Sequence, residues 1–125
     1  MGSLTKLLKN ILLNRFNEGT AHWVSQRAAS VVLIPLTVLF LFPFVQHVSF
    51  EYDQIVALYR NPLRALLTLS FFSLTLLHFK QGAQVVIEDY VNGKANKVFL
   101  LINSVAFWLI NLCIFLALAR IMFLN

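Results

Sequence analysis

Residues 28–45 read AASVVLIPLTVLFLFPFV, 18 positions without a charge. As an α-helix they reach about 27 Å, close to the ~30 Å hydrocarbon thickness of a bilayer once a flanking residue or two is added. The stretch holds Pro35 and Pro43. In a soluble helix each would remove a backbone donor and break the ladder, whereas in a membrane neighbouring helices and local adjustments re-satisfy the freed groups. A crossing helix is therefore predicted here, bent near Pro35 and leaving the membrane around Pro43.

The rest of the chain agrees with that solvent. Hydrophobic residues make up 59% of the 125 residues and charged ones 12%, against roughly 45–50% and 25% in soluble domains. So short a chain has too small an interior to hide this much apolar surface from water. A second crossing begins near Leu63 and contains ALLTLSFFSLTLLHFKQGAQVVI from Ala65 to Ile87; a third runs from Val98 to about Phe123. The predicted fold is an all-α membrane protein with three transmembrane helices, at about 26–48, 63–89 and 97–123. In the second crossing His78, Lys80, Gln81 and Gln84 gather in the C-terminal half, which therefore cannot face lipid on all sides. In the third, Asn103, Ser104 and Asn111 are candidates for contacts between helices, and Arg120 can snorkel to the interface. Cys113, alone in an apolar run, rules out an internal disulfide framework and reads as a small buried thiol.

Residues 1–25 form a different segment. Lys6, Lys9 and Arg15 alternate with Leu4, Leu7, Leu8, Ile11, Leu12, Leu13 and Phe16, the pattern of a short interfacial amphipathic helix. Gly19-Thr20 is the expected break before the first crossing, and no cleavable signal pattern is expected. Residues 26–125 then make up the three-helix anchor domain. The net charge of +5 does not indicate nucleic acid, because the ten basic residues flank apolar segments rather than forming a stripe. Lys6, Lys9, Arg15, Arg27, Lys80, Lys94 and Lys97 fall on one side of the bilayer; Arg60, Arg64 and Arg120 fall on the other. The positive-inside rule then places the N-terminus in the cytoplasm and the C-terminus outside.

His78 is the most informative residue. Ionisable groups at membrane depth are costly and normally pair with or bind something, and imidazole is a standard axial ligand of haem iron. An interhelical hydrogen bond and a proton-path or quinone role are the alternatives. Eleven residues on, Asp89 lies on the same helical face about 16 Å along the axis. Gly82, one turn past His78, permits close approach of a macrocycle or another helix. Tyr90 reads as an aromatic-belt anchor or as a phenol donating to a quinone carbonyl. Asp89 reads as a solvated helix-end carboxylate or as a group orienting Tyr90 and relaying protons. Before the first crossing, Arg27 is a snorkelling anchor or a partner for a carboxylate or quinone headgroup, with Ser25 and His22 at the same level and Trp23 as an interface anchor. His47, at the opposite surface, is expected to be solvated.

The stretch HWVSQRAASVVLIPL from His22, followed by LLHFKQGAQVVIEDYV ending at Val91, resembles the small hydrophobic membrane-anchor subunits of bacterial succinate dehydrogenase, the D-type chains of respiratory complex II. The H-x10-D-Y spacing is the most specific part, HW-x-x-QR supports it, and the third crossing is generic. The resemblance implies a multi-pass chain of the bacterial inner membrane forming half of a heterodimeric six-helix bundle with a second anchor, the C subunit. An iron–sulfur subunit and a flavoprotein would dock on the cytoplasmic side. It implies that the complex oxidises succinate and reduces ubiquinone, this chain being a non-catalytic anchor by itself. His78 falls on the position of the haem b axial ligand, with the second axial histidine expected from the partner anchor. Tyr90 falls on the quinone-contacting tyrosine with Asp89 as its acidic neighbour, and Arg27 on the arginine near the haem propionates and quinone. His22 matches more weakly, because its spacing to that arginine varies. Lys80, two residues past His78, departs from expectation by placing a cation at half-buried depth, where it must snorkel or pair. A fumarate reductase anchor and a structural anchor without haem ligation remain as the alternative functions.

Overall fold

A computed structural model describes the chain at residues 2–15 and 18–124, with side chains at 2–8, 10 and 20–124. The elements are α1 (Gly2–Arg15), α2 (Glu18–Gln46), α3 (Tyr52–Tyr59), α4 (Pro62–Tyr90) and α5 (Gly93–Phe123). Three of them, over Thr20–Gln46, Pro62–Tyr90 and Gly93–Phe123, are long and apolar enough to cross a bilayer. The protein is thus an all-α membrane protein, as expected.

The helix ends follow local chemistry. Asn61 caps α4, its Oδ1 accepting from the backbone N–H groups of Leu63 at 2.9 Å and Arg64 at 3.4 Å, and Pro62 occupies the first turn where a missing N–H costs nothing. At the far end the Ile87 carbonyl accepts the Val91 N–H at 2.9 Å, and Asn96 Nδ2 donates to that carbonyl as well at 3.1 Å and to the Val91 carbonyl at 2.9 Å, tying the end of α4 to the start of α5. Gly93 turns the chain into α5 at φ +68°, a left-handed conformation that costs an L-residue about 1–2 kcal/mol.

Four expectations about local structure are corrected. Helix α2 runs through Gly19-Thr20 instead of breaking there. Its last residue is Gln46, three past Pro43, where the His47 N–H donates to the carbonyls of Pro43 at 3.2 Å and Phe44 at 3.1 Å. His47 is half-buried rather than solvated: its Nδ1 bonds the Pro43 carbonyl and its ring stands edge-on to Phe50, centroids 4.6 Å apart. Cys113 is exposed on α5 rather than buried, since the helix turns that face outward. The first loop, for which no helix was predicted, holds α3, entered where the Glu51 N–H donates to Gln54 Oε1 at 2.9 Å. In α1 the side chains at Lys9, Ile11, Leu12, Leu13 and Arg15, and Phe16 altogether, lie outside the described residues.

Helix α4 is the centre of the bundle, packing on α2 along one side and α5 along the other, with α3 across its first turns. Among the described residues the core is minimal: only Ala29 and Ala65 are buried hydrophobics, joined by buried Thr68 and Gln81. Large apolar side chains such as Ile34, Phe42, Phe79 and Trp108 are 67–70% exposed. The hydrophobic effect therefore does not hold the helices to each other, because lipid is as apolar as their side chains. What remains is close packing of small residues, ring stacking and hydrogen bonds. Phe40 of α2 stacks on Phe71 of α4 with centroids 4.4 Å apart, and Asn103 Nδ2 of α5 donates to the Lys80 carbonyl of α4 at 2.9 Å.

Asn111, expected to reach a neighbouring helix, donates instead to Phe107 O of its own helix at 2.9 Å. The two asparagines separate in their effect on the bundle. Asn103→Leu should cost about 1 kcal/mol of α4–α5 packing, whereas Asn111→Leu should be near neutral, both read by unfolding in mixed micelles of increasing denaturing detergent.

Candidate functional site

The second crossing helix delivers its polar half to the seam with α2, and the pairing runs antiparallel. Ser30 faces His78, Gln26 faces Gly82 and Ser25 faces Gln81, so each step down α2 meets a step up α4. Close approach is possible here because Ala29 is 6% exposed and Gly82 has no side chain; a Cβ built on Gly82 would sit 4.0 Å from the Gln26 amide nitrogen. Gly82 therefore faces α2.

Ser30 Oγ lies 3.3 Å from His78 Nδ1 and donates its own hydrogen to the Gln26 carbonyl at 2.9 Å. Among the described residues no other group bonds the His78 ring. One turn further on, the Gln81 amide donates to Ser25 Oγ at 2.9 Å. Gln81 is 7% exposed, yet its Oε1 has no partner, and the same holds for the enclosed His22 Nε2 on α2. Buried polar atoms without partners are rare because desolvation costs about 1–3 kcal/mol each. Both stand toward the end of the α2–α4 pair that holds Arg27 and Asp89, and neither is satisfied by the described residues.

Toward the end of α4 the groups become accessible. Asp89 is exposed and Tyr90 is 81% exposed, so its phenol is free for a ligand or a partner surface. Glu88 is exposed and accepts from Gln84 Nε2 at 2.8 Å. Arg27 is exposed and lies with its guanidinium 4.8 Å from the centroid of the Trp23 ring, a cation–π contact that holds it near the helix. Lys80 resolves its awkward depth in the same manner, its ammonium 5.0 Å from the centre of the Phe107 ring on α5. Among the described residues no hydrogen bond or ion pair joins Arg27, Asp89, Tyr90 and His22 to one another. The structure brings together His78 with Ser30 and Ser25 with Gln81, and strings the others along the same end of the α2–α4 pair.

Sequence reasoning missed Ser30 as a partner of His78. The available signal was weak: a serine three residues past Arg27 on the first crossing, in a run that otherwise reads as lipid-facing. At the other end of the bundle, an apolar cleft of about 320 Å³ between α2, α3 and α4 is lined by Phe40, Phe44, His47, Tyr59 and Arg64 among others. It contains none of the candidate residues.

Fold and site together define a polytopic membrane protein with three crossing helices and an incomplete polar seam at one end. The family model described as succinate dehydrogenase/fumarate reductase transmembrane subunit matches residues 3–118, and the chain belongs to that family. It is 29% identical over 108 residues to the succinate dehydrogenase hydrophobic membrane anchor subunit of Paracoccus denitrificans, covering 86% of this chain and 84% of that one. It is 26% identical over 87 residues to the succinate dehydrogenase membrane anchor subunit of Reclinomonas americana, covering 67% and 72%. The hydrophobic membrane anchor subunit of Rickettsia typhi is 25% identical over 87 residues, covering 70% of each chain. No solved structure matches the chain.

The Ser25–Gln81 bond is open to a double-mutant cycle. Ser25→Ala should cost about 1–3 kcal/mol by leaving the buried Gln81 amide without an acceptor, and Gln81→Leu added to it should recover most of that loss. Detergent unfolding of the single and double variants measures both terms.

Proposed function

We propose that the chain is the membrane-anchoring subunit of a succinate:ubiquinone oxidoreductase, in which His78 would help hold a b-type haem and residues at the cytoplasmic end of the bundle would form part of a ubiquinone pocket. The observation that carries this reading is His78. It is an imidazole within a crossing helix, half-buried, held at Nδ1 by Ser30 and unengaged at Nε2. Among the described residues no group of three or more His, Cys, Asp or Glu stands together, so His78 would hold iron as a single protein ligand of this chain, with the macrocycle supplying most of the donors. When bound, the haem supplies a redox-active iron beside the quinone.

The chain's own groups then divide the work. His78 offers the Nε2 lone pair to iron. Arg27, always charged and held near the helix by Trp23, provides the fork that meets a haem propionate or steadies the quinone headgroup. Tyr90 donates its phenolic hydrogen to a quinone carbonyl, and Asp89 orients that phenol and passes protons inward from the aqueous boundary. Ser25 and His22 line the same level, where His22 Nε2 and Gln81 Oε1 are enclosed and unpaired. A second anchor, the C subunit, would supply a further histidine to the haem and the remaining pocket wall, making a six-helix bundle. The iron–sulfur and flavoprotein subunits would carry the oxidation of succinate to fumarate, releasing its two protons to water and passing on its two electrons, which with two protons taken up from the aqueous boundary by way of Asp89 convert ubiquinone to ubiquinol.

Orientation follows from charge. The basic residues Lys6, Arg27, Lys94 and Lys97 lie at the end that holds Asp89 and Tyr90, and the positive-inside rule supports a cytoplasmic N-terminus in a bacterial inner membrane. The family description spans both directions of turnover. The succinate-oxidising direction is supported by the relatives, which are named as succinate dehydrogenase anchors.

Replacing His78 with alanine in the assembled complex should remove or re-ligate the haem, seen as a loss or shift of the reduced α-band per mole of flavin. An unchanged spectrum would return His78 to a packing role. Tyr90→Phe should keep haem content and lower quinone reductase turnover about tenfold, the equivalent of one hydrogen bond of ~1.4 kcal/mol. Unaltered quinone kinetics in that variant would rule out the phenol as donor.

A further inference from the structure

The hydrogen-bond pattern around Ser30 determines more than where His78 sits. A serine hydroxyl has one hydrogen and two lone pairs. Here that hydrogen is committed to the Gln26 carbonyl at 2.9 Å, the shorter of the two Ser30 contacts, leaving Oγ only as an acceptor toward His78 Nδ1 at 3.3 Å. A neutral imidazole that meets an acceptor at Nδ1 must carry its proton there, and Nε2 then presents a lone pair. The opposite arrangement would place two acceptors face to face across the seam and put a hydrogen on the nitrogen that iron needs.

We propose that Ser30 is the positioning residue of the axial imidazole: through the relay His78 Nδ1–H to Ser30 Oγ–H to Gln26 O it selects the Nε2 ligating tautomer and raises the imidazole's donor strength. This rests on His78 being a haem ligand. Metal-bound histidines commonly donate their second ring N–H to an acceptor, which fixes ring orientation and makes the ligating nitrogen more basic. The Ser30 oxygen is a better acceptor than an isolated hydroxyl because its own hydrogen is already given to a carbonyl, and chained hydrogen bonds polarise one another. The local packing supports the relay. Ala29 is buried beside Ser30, and Gly82 leaves room for Gln26 one turn below, so the carbonyl, the hydroxyl and the ring share one level of the α2–α4 seam. A more basic nitrogen favours the ferric over the ferrous state, so the relay holds the haem potential down.

The test is a spectroelectrochemical titration of the haem in the detergent-purified complex, with haem-to-flavin ratio and the low-temperature ferric electron spin resonance of the same samples. Ser30→Ala should keep the haem while moving its midpoint potential positive and shifting the ferric signal, and Ser30→Thr, which keeps the hydroxyl, should return both toward wild type. Threonine and valine differ at this position only by that hydroxyl. Should the alanine variant not assemble, the Ser30→Thr and Ser30→Val pair decides: a positive shift, or haem loss, in valine alone supports the relay. Equal potentials and equal ferric signals in the hydroxyl-bearing and hydroxyl-free variants would overturn it. The parallel His78→Ala sample separates the two levels. If its haem is unaltered, the ligand assignment itself fails; if its haem is lost or re-ligated while Ser30→Ala is silent, only the role of Ser30 fails.

Discussion

Everything distinctive about this molecule depends on the close approach of α2 and α4 over Ala29, Ser30 and Gly82. Elsewhere the helices have little reason to prefer one another to lipid. Here small residues let two backbones come near enough for Ser30 to reach His78 and for Gln81 to reach Ser25. Each of those bonds satisfies a polar group that would be expensive to leave bare in hydrocarbon. The antiparallel register of the pair follows from them, and so does the level at which every candidate site residue stands.

Helix α5 completes the seam from the other side without entering it. Its Asn103 holds the Lys80 carbonyl and its Phe107 ring receives the Lys80 ammonium. A cation two residues from His78 would otherwise disturb the site by its charge. Directed toward α5, it is accommodated by a ring face. The same device serves Arg27 on α2, where the Trp23 indole supports a guanidinium at the membrane boundary. Aromatic rings thus hold Arg27 and Lys80 while leaving their hydrogen-bond donors available.

The exposed apolar surface and the two unpartnered buried atoms point the same way. A bundle whose described residues include only two small buried hydrophobics, Ala29 and Ala65, keeps its apolar surface out of water only with lipid or other protein around it. Gln81 Oε1 and His22 Nε2 are enclosed and have no partner among the described residues. Membership in a family of respiratory transmembrane subunits supplies the physical setting for such incompleteness, since a subunit's polar gaps can be closed by its neighbours.

Composition and the charge-free run at 28–45 were enough to determine three crossing helices, because the cost of burying backbone in lipid admits almost nothing else. The sequence by itself also singled out His78, Asp89, Tyr90 and Arg27, since ionisable and amphipathic groups stand out against an apolar chain and helical periodicity places His78 over Asp89. What it could not determine was partnership. That Ser30 reaches His78, that Asn111 turns back on its own helix while Asn103 crosses to α4, and that His47 folds inward against Phe50 all depend on the rotation of one helix about its axis relative to the next. Rotation is decided by tertiary packing of small and aromatic side chains, and in an apolar helix with lipid all around, one-dimensional periodicity contains almost no record of it.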